Sequence, residues 1–215
     1  MFIHFIGTCM ATQNPEASLN QRRRSQILDA AAQVFAQQGF HQTTIRQVAK
    51  AAGIADGTIY LYFASKHELL LGILERLNDR EQREIDFTQA LDSRPSGFIA
   101  SYFEERVGRL MEQMTDLQAA LPAVLSDVSL RERYFREIFG PTFELANPVV
   151  QLWIDQGILR PAQAELLTRS LASSILGLVL LRMLGDEVAI NQWPELARTT
   201  INLVLYGILQ EPPHE

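Results

Sequence analysis

The chain has 215 residues, of which 47% are hydrophobic and 20% charged, a composition typical of a well-packed globular protein. Its single cysteine excludes an internal disulfide framework and a cysteine-based zinc site, and is typical of a reducing, cytoplasmic environment. The formal net charge of −6 argues against nucleic-acid binding. No uninterrupted apolar run reaches the roughly 18 residues of a membrane span, so no membrane partner is expected.

The first 20 residues are predicted to form a flexible arm outside the fold. Gly7, Asn14 and Pro15 interrupt this segment, and its short apolar run lacks the preceding basic residues of a signal peptide. Met10 is an alternative start, in which case residues 1–9 are not part of the natural protein.

Charge is distributed unevenly along the chain. Residues 20–66 contain six basic and two acidic residues, so this segment carries +4 and the rest of the chain −10. A basic segment joined to an acidic body is expected where one end attracts phosphate and the other maintains solubility. Chance clustering explains the charges equally well.

Two short helices joined by a tight turn follow a longer first helix. Apolar residues at helical spacing define that first helix from Arg22 to Gln38, and Gly39 ends it. Thr44 is a suitable N-cap for the second helix, which ends at Gly53. The third runs from about Asp56 to Phe63. Such a pair of helices is typical of the helix-turn-helix motif that binds DNA.

The remainder of the chain is predicted to be helical throughout. Ser65 caps a fourth helix that continues to about Ile85. Further helices are expected at residues 96–114, 117–128, 130–156, 163–184 and 194–210, with kinks or breaks at Pro122, Gly140-Pro141 and Pro148. Neither strand alternation nor an internal repeat occurs. The predicted fold class is all-α, with an N-terminal three-helix domain and a C-terminal helical domain.

The segment Arg22–Leu70 resembles the N-terminal domain of the TetR family of transcriptional repressors. The resemblance rests on Ala31–Phe35, Gly39-Phe40, Thr43-Thr44, Val48-Ala49, Ala52-Gly53, Gly57-Thr58-Ile59-Tyr60, Phe63, Lys66 and Leu69-Leu70. It implies an arm over residues 1–20, a DNA-binding domain over 21–66, and a ligand-binding and dimerisation domain over 67–215. It also implies a cytoplasmic homodimer that binds double-stranded DNA and needs no cofactor. An apolar small molecule is expected to release this dimer from the DNA.

Candidate DNA-contacting residues lie on the second and third predicted helices and at the start of the fourth. A recognition helix presents its first residues to base edges, while flanking groups contact phosphates. The candidates are Thr44, Arg46, Asp56, Gly57, Thr58, Tyr60, Leu61, Tyr62 and Lys66.

Several of these residues also have explanations that need no DNA. Thr44 caps a helix whatever else it contacts, Tyr60 alternatively packs within the domain, and Lys66 is alternatively an ordinary solvated charge. Asp56 either accepts a hydrogen bond from a cytosine amino group or stabilises the start of the third helix, and we prefer the second interpretation. Arg22–Arg24 either attract DNA or form a solvated helix start.

The resemblance also implies roles for the helical body. The last two helices are expected to pair with their copies in a second subunit, through Leu171, Ser174, Leu178, Leu181, Ile201, Val204, Leu205 and Ile208. Aromatic and methionine side chains at helical spacing predict a ligand pocket, with tyrosine and arginine for a polar end: Tyr102, Phe103, Arg106, Val107, Met111, Met114, Phe135, Phe139, Phe143, Trp153 and Leu178, together with Arg109. The alternative is that they form an ordinary core.

Residues 57–63 are similar to those of fatty-acid-responsive family members, which implies an acyl-CoA effector as one alternative.

Other function classes have less support. The histidines (His4, His41, His67 and His214) are scattered and form no metal-binding or nucleophile-and-base pattern, so no enzyme is expected. A helical scaffold without DNA binding leaves the pattern from Thr44 to Lys66 unexplained. Repression and activation are not distinguished.

Overall fold

The computed structural model describes residues 15–91 and 93–209, which form α-helices and one π-helical turn without any strand. Their only β pairing within these ranges is an isolated bridge between Leu159 and Leu209. The predicted all-α fold class is therefore confirmed. The helices are α1 (Pro15–Gln38), α2 (Ile45–Ala52), α3 (Asp56–Tyr60), α4 (Lys66–Asn78), α5 (Arg80–Ala90), α6 (Pro95–Glu112), α7 (Met114–Ser126), α8 (Val128–Tyr134), the π turn (Phe135–Phe139), α9 (Gly140–Asp155), α10 (Ala164–Met183), α11 (Glu187–Asn191) and α12 (Trp193–Ile208).

Helices α1–α3 form a compact head whose boundaries follow from local chemistry. Thr44 and Gln47 form a capping box: the Thr44 hydroxyl accepts from the Gln47 backbone N–H, and the Gln47 side chain accepts from the Thr44 N–H. Gly39 and Gly53 end α1 and α2 with positive φ angles of 82° and 66°. The interior of the head is formed by the fully buried Ile27, Phe35, Val48, Ile59 and Phe63.

The first helix is longer than the sequence predicts. It begins at Pro15, so part of the segment predicted to be an arm is helical. The Tyr62 hydroxyl donates to the Asn20 side chain at 3.1 Å, which ties this extension to the residues after α3. Residues 1–14, including Met10, lie outside the described residues.

The predicted fourth helix is in fact two helices. Asp79 separates α4 from α5 and adopts a left-handed conformation with φ 47° and ψ 63°, which aspartate tolerates better than most residues. Its carboxylate lies 3.3 Å from Arg109 of α6. The prediction of one continuous helix to Ile85 was wrong. A glycine at the break would have marked a helix end in the sequence, but Asp79 does not.

The predicted disturbance at Gly140-Pro141 takes the form of the π turn. Pro141 has no N–H to donate, and the Gly140 N–H reaches back five residues to the Phe135 carbonyl. A Cβ atom on Gly140 would lie 2.6 Å from that oxygen, so the backbone geometry requires glycine. Pro122 and Pro148, by contrast, lie inside α7 and α9 without ending either helix.

Helix α4 belongs to the interior of both the head and the helical body formed by α5–α12. Leu69, Leu70 and Ile73 are completely buried in one cluster with the core of the head. Arg76 joins three helices: it donates to both carboxylate oxygens of Asp116 on α7 at 2.8 Å and to Asp29 on α1 at 2.6 Å. Burial nevertheless raises the pKa of Asp116, although the arginine opposes this shift.

Candidate functional site

The outer face of α2 and α3 carries side chains that folding does not explain. Leu61 is 82% exposed and Tyr60 57% exposed, beside the exposed Arg46, Asp56 and Gly57. These five predicted residues are therefore all exposed, and Arg46 and Asp56 lie close enough to pair. Thr58 is half-buried on α3. Large apolar and aromatic groups left in solvent beside a charged group are typical of a binding surface.

Gly57 leaves an open position in the first turn of α3. A Cβ atom built on it meets no other atom within 4 Å, and its φ angle is not in the left-handed region. Neither packing nor backbone strain therefore requires glycine here. A bare backbone at an exposed helix start allows another molecule to approach closely.

An ion pair bridges the two short helices on this face. Arg46 Nε lies 3.9 Å from Asp56 Oδ2, and both side chains are more than half exposed. The carboxylate is also at the N-terminal end of α3, where the helix dipole favours negative charge. Asp56 thus has a structural explanation, which agrees with the preferred interpretation of this residue.

Lys66 is not a free charge at the start of α4, because its ammonium is bonded within the chain, while its contact with a DNA phosphate stays a prediction. Its ammonium donates to the carbonyl oxygens of Phe40 (2.7 Å), His41 (3.2 Å) and Thr43 (3.0 Å) and lies 4.5 Å above the Phe40 ring. Burial lowers its pKa. These bonds use all three ammonium donors, so Lys66 fastens α4 to the α1–α2 connection.

Thr44 and Tyr62 also make contacts within the chain. Thr44 lies at the edge of the face as the N-cap of α2, and its backbone and hydroxyl are held by Gln47. Tyr62 is half-buried and its hydroxyl donates to Asn20. Among the nine predicted DNA contacts, these two and Lys66 therefore have hydrogen-bond partners in the protein itself, and Arg46 and Asp56 pair with each other.

A mostly apolar cavity of about 140 Å³ lies in the body, between α4 and helices α5–α10. Engineered apolar cavities of about this size hold a benzene ring. Aromatic side chains form much of its wall: Phe87, Phe98, Tyr102, Phe103, Tyr134, Phe139, Phe143 and Trp153. Leu74 and Leu77 of α4 close the side toward the head.

Six of the predicted pocket residues line this cavity, namely Tyr102, Phe103, Arg106, Phe139, Phe143 and Trp153. The other predicted residues do not line this cavity. Val107 and Leu178 are core residues that do not border the cavity. Met111 and Met114 pack against the cluster shared with the head. Phe135, the first residue of the π turn, is 52% exposed, and Arg109 instead pairs with Asp79 and Asp86.

Two buried arginines border the apolar cavity. Arg106 donates to the Leu77 carbonyl oxygen at 2.6 Å, and Arg83 donates to the Thr142 hydroxyl at 2.7 Å. Burial, and secondarily the charge of Arg83, lowers the pKa of Arg106 to about 10. Arg83 was not predicted from the sequence, because a buried arginine on a polar helix such as α5 has the same residue type as its solvated neighbours.

Comparison with known proteins agrees with this arrangement. The sequence model of bacterial regulatory proteins of the tetR family matches residues 27–73. The fatty acid metabolism regulator protein of Bacillus subtilis is 50% identical over 50 residues, which are 23% of this chain and 26% of that protein. The HTH-type transcriptional regulator YfiR of B. subtilis is 30% identical over 149 residues, 66% of this chain and 70% of that protein. The chain belongs to the TetR family.

A solved structure of a transcriptional regulator shares the architecture of head and body. The transcriptional regulator FadR of B. subtilis, in complex with stearoyl-CoA, superposes with a TM-score of 0.67 at 25% identity and covers 85% of this chain and 98% of its own. These relatives are transcriptional regulators. Within residues 15–91 and 93–209 of this TetR-family chain, no group of three or more His, Cys, Asp or Glu side chains is arranged to hold a metal ion.

This TetR-family chain leaves an apolar face exposed on α10 and α12, but it differs from the predicted dimer face. Leu178, Ile201 and Leu205 are at most 5% exposed and belong to the core of the chain, and Leu171 lines the cavity. Ser174, Val204 and Ile208 are half-buried, so Leu181 alone among the predicted residues is exposed. The exposed apolar residues of the two helices and of the C-cap of α10 are Leu166, Leu176, Leu180, Leu181, Leu184, Leu203 and Tyr206.

Helix α10 is also long and apolar enough to cross a membrane by length and composition. This segment was not predicted from the sequence, because Arg169 and three serines interrupt its apolar run. Only 28% of its most apolar window is buried within the chain. This TetR-family helix therefore has apolar surface that the single chain does not cover.

Proposed function

We propose that this chain is a transcriptional repressor that binds a palindromic operator as a homodimer and releases it when an apolar small molecule occupies the cavity. The exposed face of α2 and α3 is the DNA-reading surface in this proposal, with Arg46, Gly57, Thr58, Tyr60 and Leu61 directed toward the duplex. Gly57 and the first turn of α3 approach the base edges, as the recognition helix of a helix-turn-helix motif does.

One observation carries the proposal: α4 begins in the head and ends at the cavity. Lys66, its first residue, is bonded to the carbonyls of the α1–α2 connection, and Leu77, in its last turn, borders the cavity. A ligand that packs against Leu74 and Leu77 therefore contacts the helix that holds the reading surface in place. The two sites are joined by a single rigid element about 20 Å long.

The exposed apolar face of α10 and α12 supports the dimer. Leu166, Gly177 and Leu180 lie on one stripe of α10 at helical spacing, and Leu184 continues this stripe directly after the helix. Leu203 and Tyr206 are exposed on α12. A second copy would remove this apolar area from water. The dimer would also provide the two reading heads that a palindromic site requires.

Release of DNA is proposed to follow from a shift between two spacings of the heads. An effector changes DNA affinity only by its differential affinity for the two states. Ligand in the cavity would favour a position of α4 that differs from the DNA-bound position. The Arg76 bonds to Asp29 and Asp116 would carry this movement to α1 and α7.

DNA binding is tested by fluorescence anisotropy with labelled duplexes from the region upstream of the chain's own gene. We expect saturable binding to one palindromic segment, weaker binding to a scrambled duplex of equal length, and steep weakening with added salt. A protein that binds both duplexes equally, with and without small molecules, would contradict the proposal.

An acyl-CoA effector is the second candidate. It is supported by the similarity to a fatty acid metabolism regulator and by the fold shared with a regulator in complex with stearoyl-CoA. The aromatic walls of the cavity suit a hydrocarbon chain. Adding acyl-CoAs of graded chain length to the preformed DNA complex tests it, with free coenzyme A as the control; release by an acyl-CoA but not by coenzyme A supports it.

A further inference from the structure

The cavity holds two buried positive charges that no carboxylate of the described residues balances. Arg83 is 4% exposed and Arg106 is 8% exposed. Within residues 15–91 and 93–209, neither guanidinium lies within 4 Å of a carboxylate, whereas the neighbouring Arg109 has three such partners, Asp79, Asp86 and Glu105. Burying an unpaired cation is strongly unfavourable unless another group compensates it.

The hydrogen bonds of these arginines are also incomplete. Arg83 donates to the neutral hydroxyl of Thr142, and its buried Nε atom has no acceptor among the described residues. Arg106 donates to one backbone carbonyl, that of Leu77. A guanidinium has five N–H donors in a planar fork, so most of the capacity of both side chains is unused. Planar forks of this kind match a carboxylate in two parallel bonds.

We propose that the effector is a free carboxylic acid with a compact apolar body, and that its carboxylate binds Arg83 and Arg106 inside the cavity. This inference rests on the proposed function and names the effector class. The body of the ligand lies among the aromatic walls, and its size matches a single ring or a chain of about eight carbons, given a cavity of about 140 Å³. The anion enters the protein interior and does not remain at the surface.

Both arginines are connected to the end of α4, which gives the carboxylate a direct effect on the head. Arg106 is bonded to the carbonyl of Leu77. Arg83 reaches α4 through Thr142, whose hydroxyl donates to Asn78 at 3.4 Å, and Asn78 donates to the Ile138 carbonyl in the π turn at 2.9 Å. A carboxylate bound to the remaining N–H groups of these arginines is therefore connected through Arg106, and through Arg83 and Thr142, to the last turn of α4.

Matched ligands test the inference on the wild-type protein by isothermal titration calorimetry. Four ligands share one hydrocarbon chain and differ in the group at its end: octanoate, octan-1-ol, octylamine and octanoyl-CoA. Phenylbutanoate has a different apolar group and the same carboxylate. We expect octanoate to bind about ten-fold or more tighter than octan-1-ol, because each charge-assisted hydrogen bond adds to affinity. Octylamine should not bind. Octanoyl-CoA, whose carboxylate is replaced by a thioester, should bind more weakly than octanoate.

Two variants locate the anion. Arg83→Gln and Arg106→Gln each retain a donor for the existing hydrogen bond but remove the charge, and each should lower octanoate affinity about ten-fold while leaving octan-1-ol affinity unchanged. Glu104→Gln, at an exposed position of α6, is the control and should change neither. If one variant does not fold, the other variant and the ligand series on the wild-type protein still test whether the carboxylate binds these arginines.

The outcomes separate this inference from the proposed function. Equal binding of octanoate and octan-1-ol, tighter binding of octanoyl-CoA, or no binding of octanoate and phenylbutanoate would overturn the carboxylate site. In each of these cases operator binding, measured separately without ligand, stays intact. Absence of sequence-specific DNA binding by the ligand-free protein would instead contradict the proposed repressor function. The proposed carboxylate site in the cavity would not be affected by that result.

Discussion

Lys66 donates a 2.7 Å hydrogen bond to the carbonyl oxygen of Phe40, and its charge lies above the ring of the same residue. This contact fixes the first turn of α4 to the end of α1. It gives Lys66 a structural role beside the proposed DNA-reading surface, since its ammonium donates to three carbonyl oxygens of the fold.

Lys66→Met should therefore lower the stability of the protein by about 2 kcal/mol, because three carbonyl groups lose a charged donor. Thermal unfolding measures this loss, with Lys50→Met, at an exposed position of α2, as the control that should leave the midpoint unchanged. The slope of log affinity for DNA against log salt should also stay unchanged in Lys66→Met. A slope reduced by about one would show that Lys66 does contact a phosphate.

Gly57→Ala should separate folding from DNA binding. The open space around Gly57 accepts a methyl group, and alanine is about 1 kcal/mol better than glycine inside a helix, so stability should rise slightly. Affinity for the operator should fall, because the methyl group prevents close approach of the backbone to the duplex. Gly97→Ala, at an exposed position of α6 with equally open space, serves as the control. Unchanged operator affinity in Gly57→Ala would remove α3 from the proposed interface.

Asp56→Ala should leave the base preference of the protein unchanged. The Asp56 carboxylate pairs with Arg46 at 3.9 Å and lies at a helix start, so its explanation is structural, and an exposed pair of this kind contributes at most about 1 kcal/mol. Binding to a panel of single-base operator variants measures the preference. Arg46→Ala is the comparison and should weaken binding to every variant alike, as expected for a phosphate contact. A loss in Asp56→Ala confined to one C·G pair would instead assign the carboxylate to a cytosine.

Leu180→Glu and Leu203→Glu should each convert the proposed dimer to a monomer, since both side chains are exposed on the apolar face of α10 and α12. Analytical ultracentrifugation gives the mass of each variant. Leu125→Glu, at a residue 60% exposed on α7, should retain the wild-type mass. The circular dichroism of all three should match the wild type, because no core residue is changed. If a variant that combines Leu180→Glu and Leu203→Glu is still a dimer, the interface lies elsewhere.

The head was predictable from sequence because its boundaries are set by local chemistry. The capping box of Thr44 and the left-handed positions of Gly39 and Gly53 are visible in the residue types themselves. Asp79 breaks the fourth helix with the same backbone geometry, but aspartate is common inside and at the start of helices. No local pattern marked that break.

The faces of the body helices were less predictable. Helix α10 is apolar on most of its circumference, so its sequence does not show which side meets the core, and the predicted interface included Leu178, a core residue. The cavity was predicted in part through aromatic residues such as Phe103 and Trp153. Arg83 became recognisable only in the structure, since burial of a charge depends on tertiary contacts.

The π turn at Phe135–Phe139 amounts to one extra residue accommodated within an otherwise continuous helix. Each residue of an α-helix turns the chain by about 100°, so the turn sets the angular position of everything that follows it. Removing a single residue from this segment would rotate Thr142 and Phe143 away from the cavity, whereas most substitutions on its exposed side would be tolerated. Relatives of different length in this segment would thus be expected to recognise different molecules, even where every pocket-lining side chain is the same.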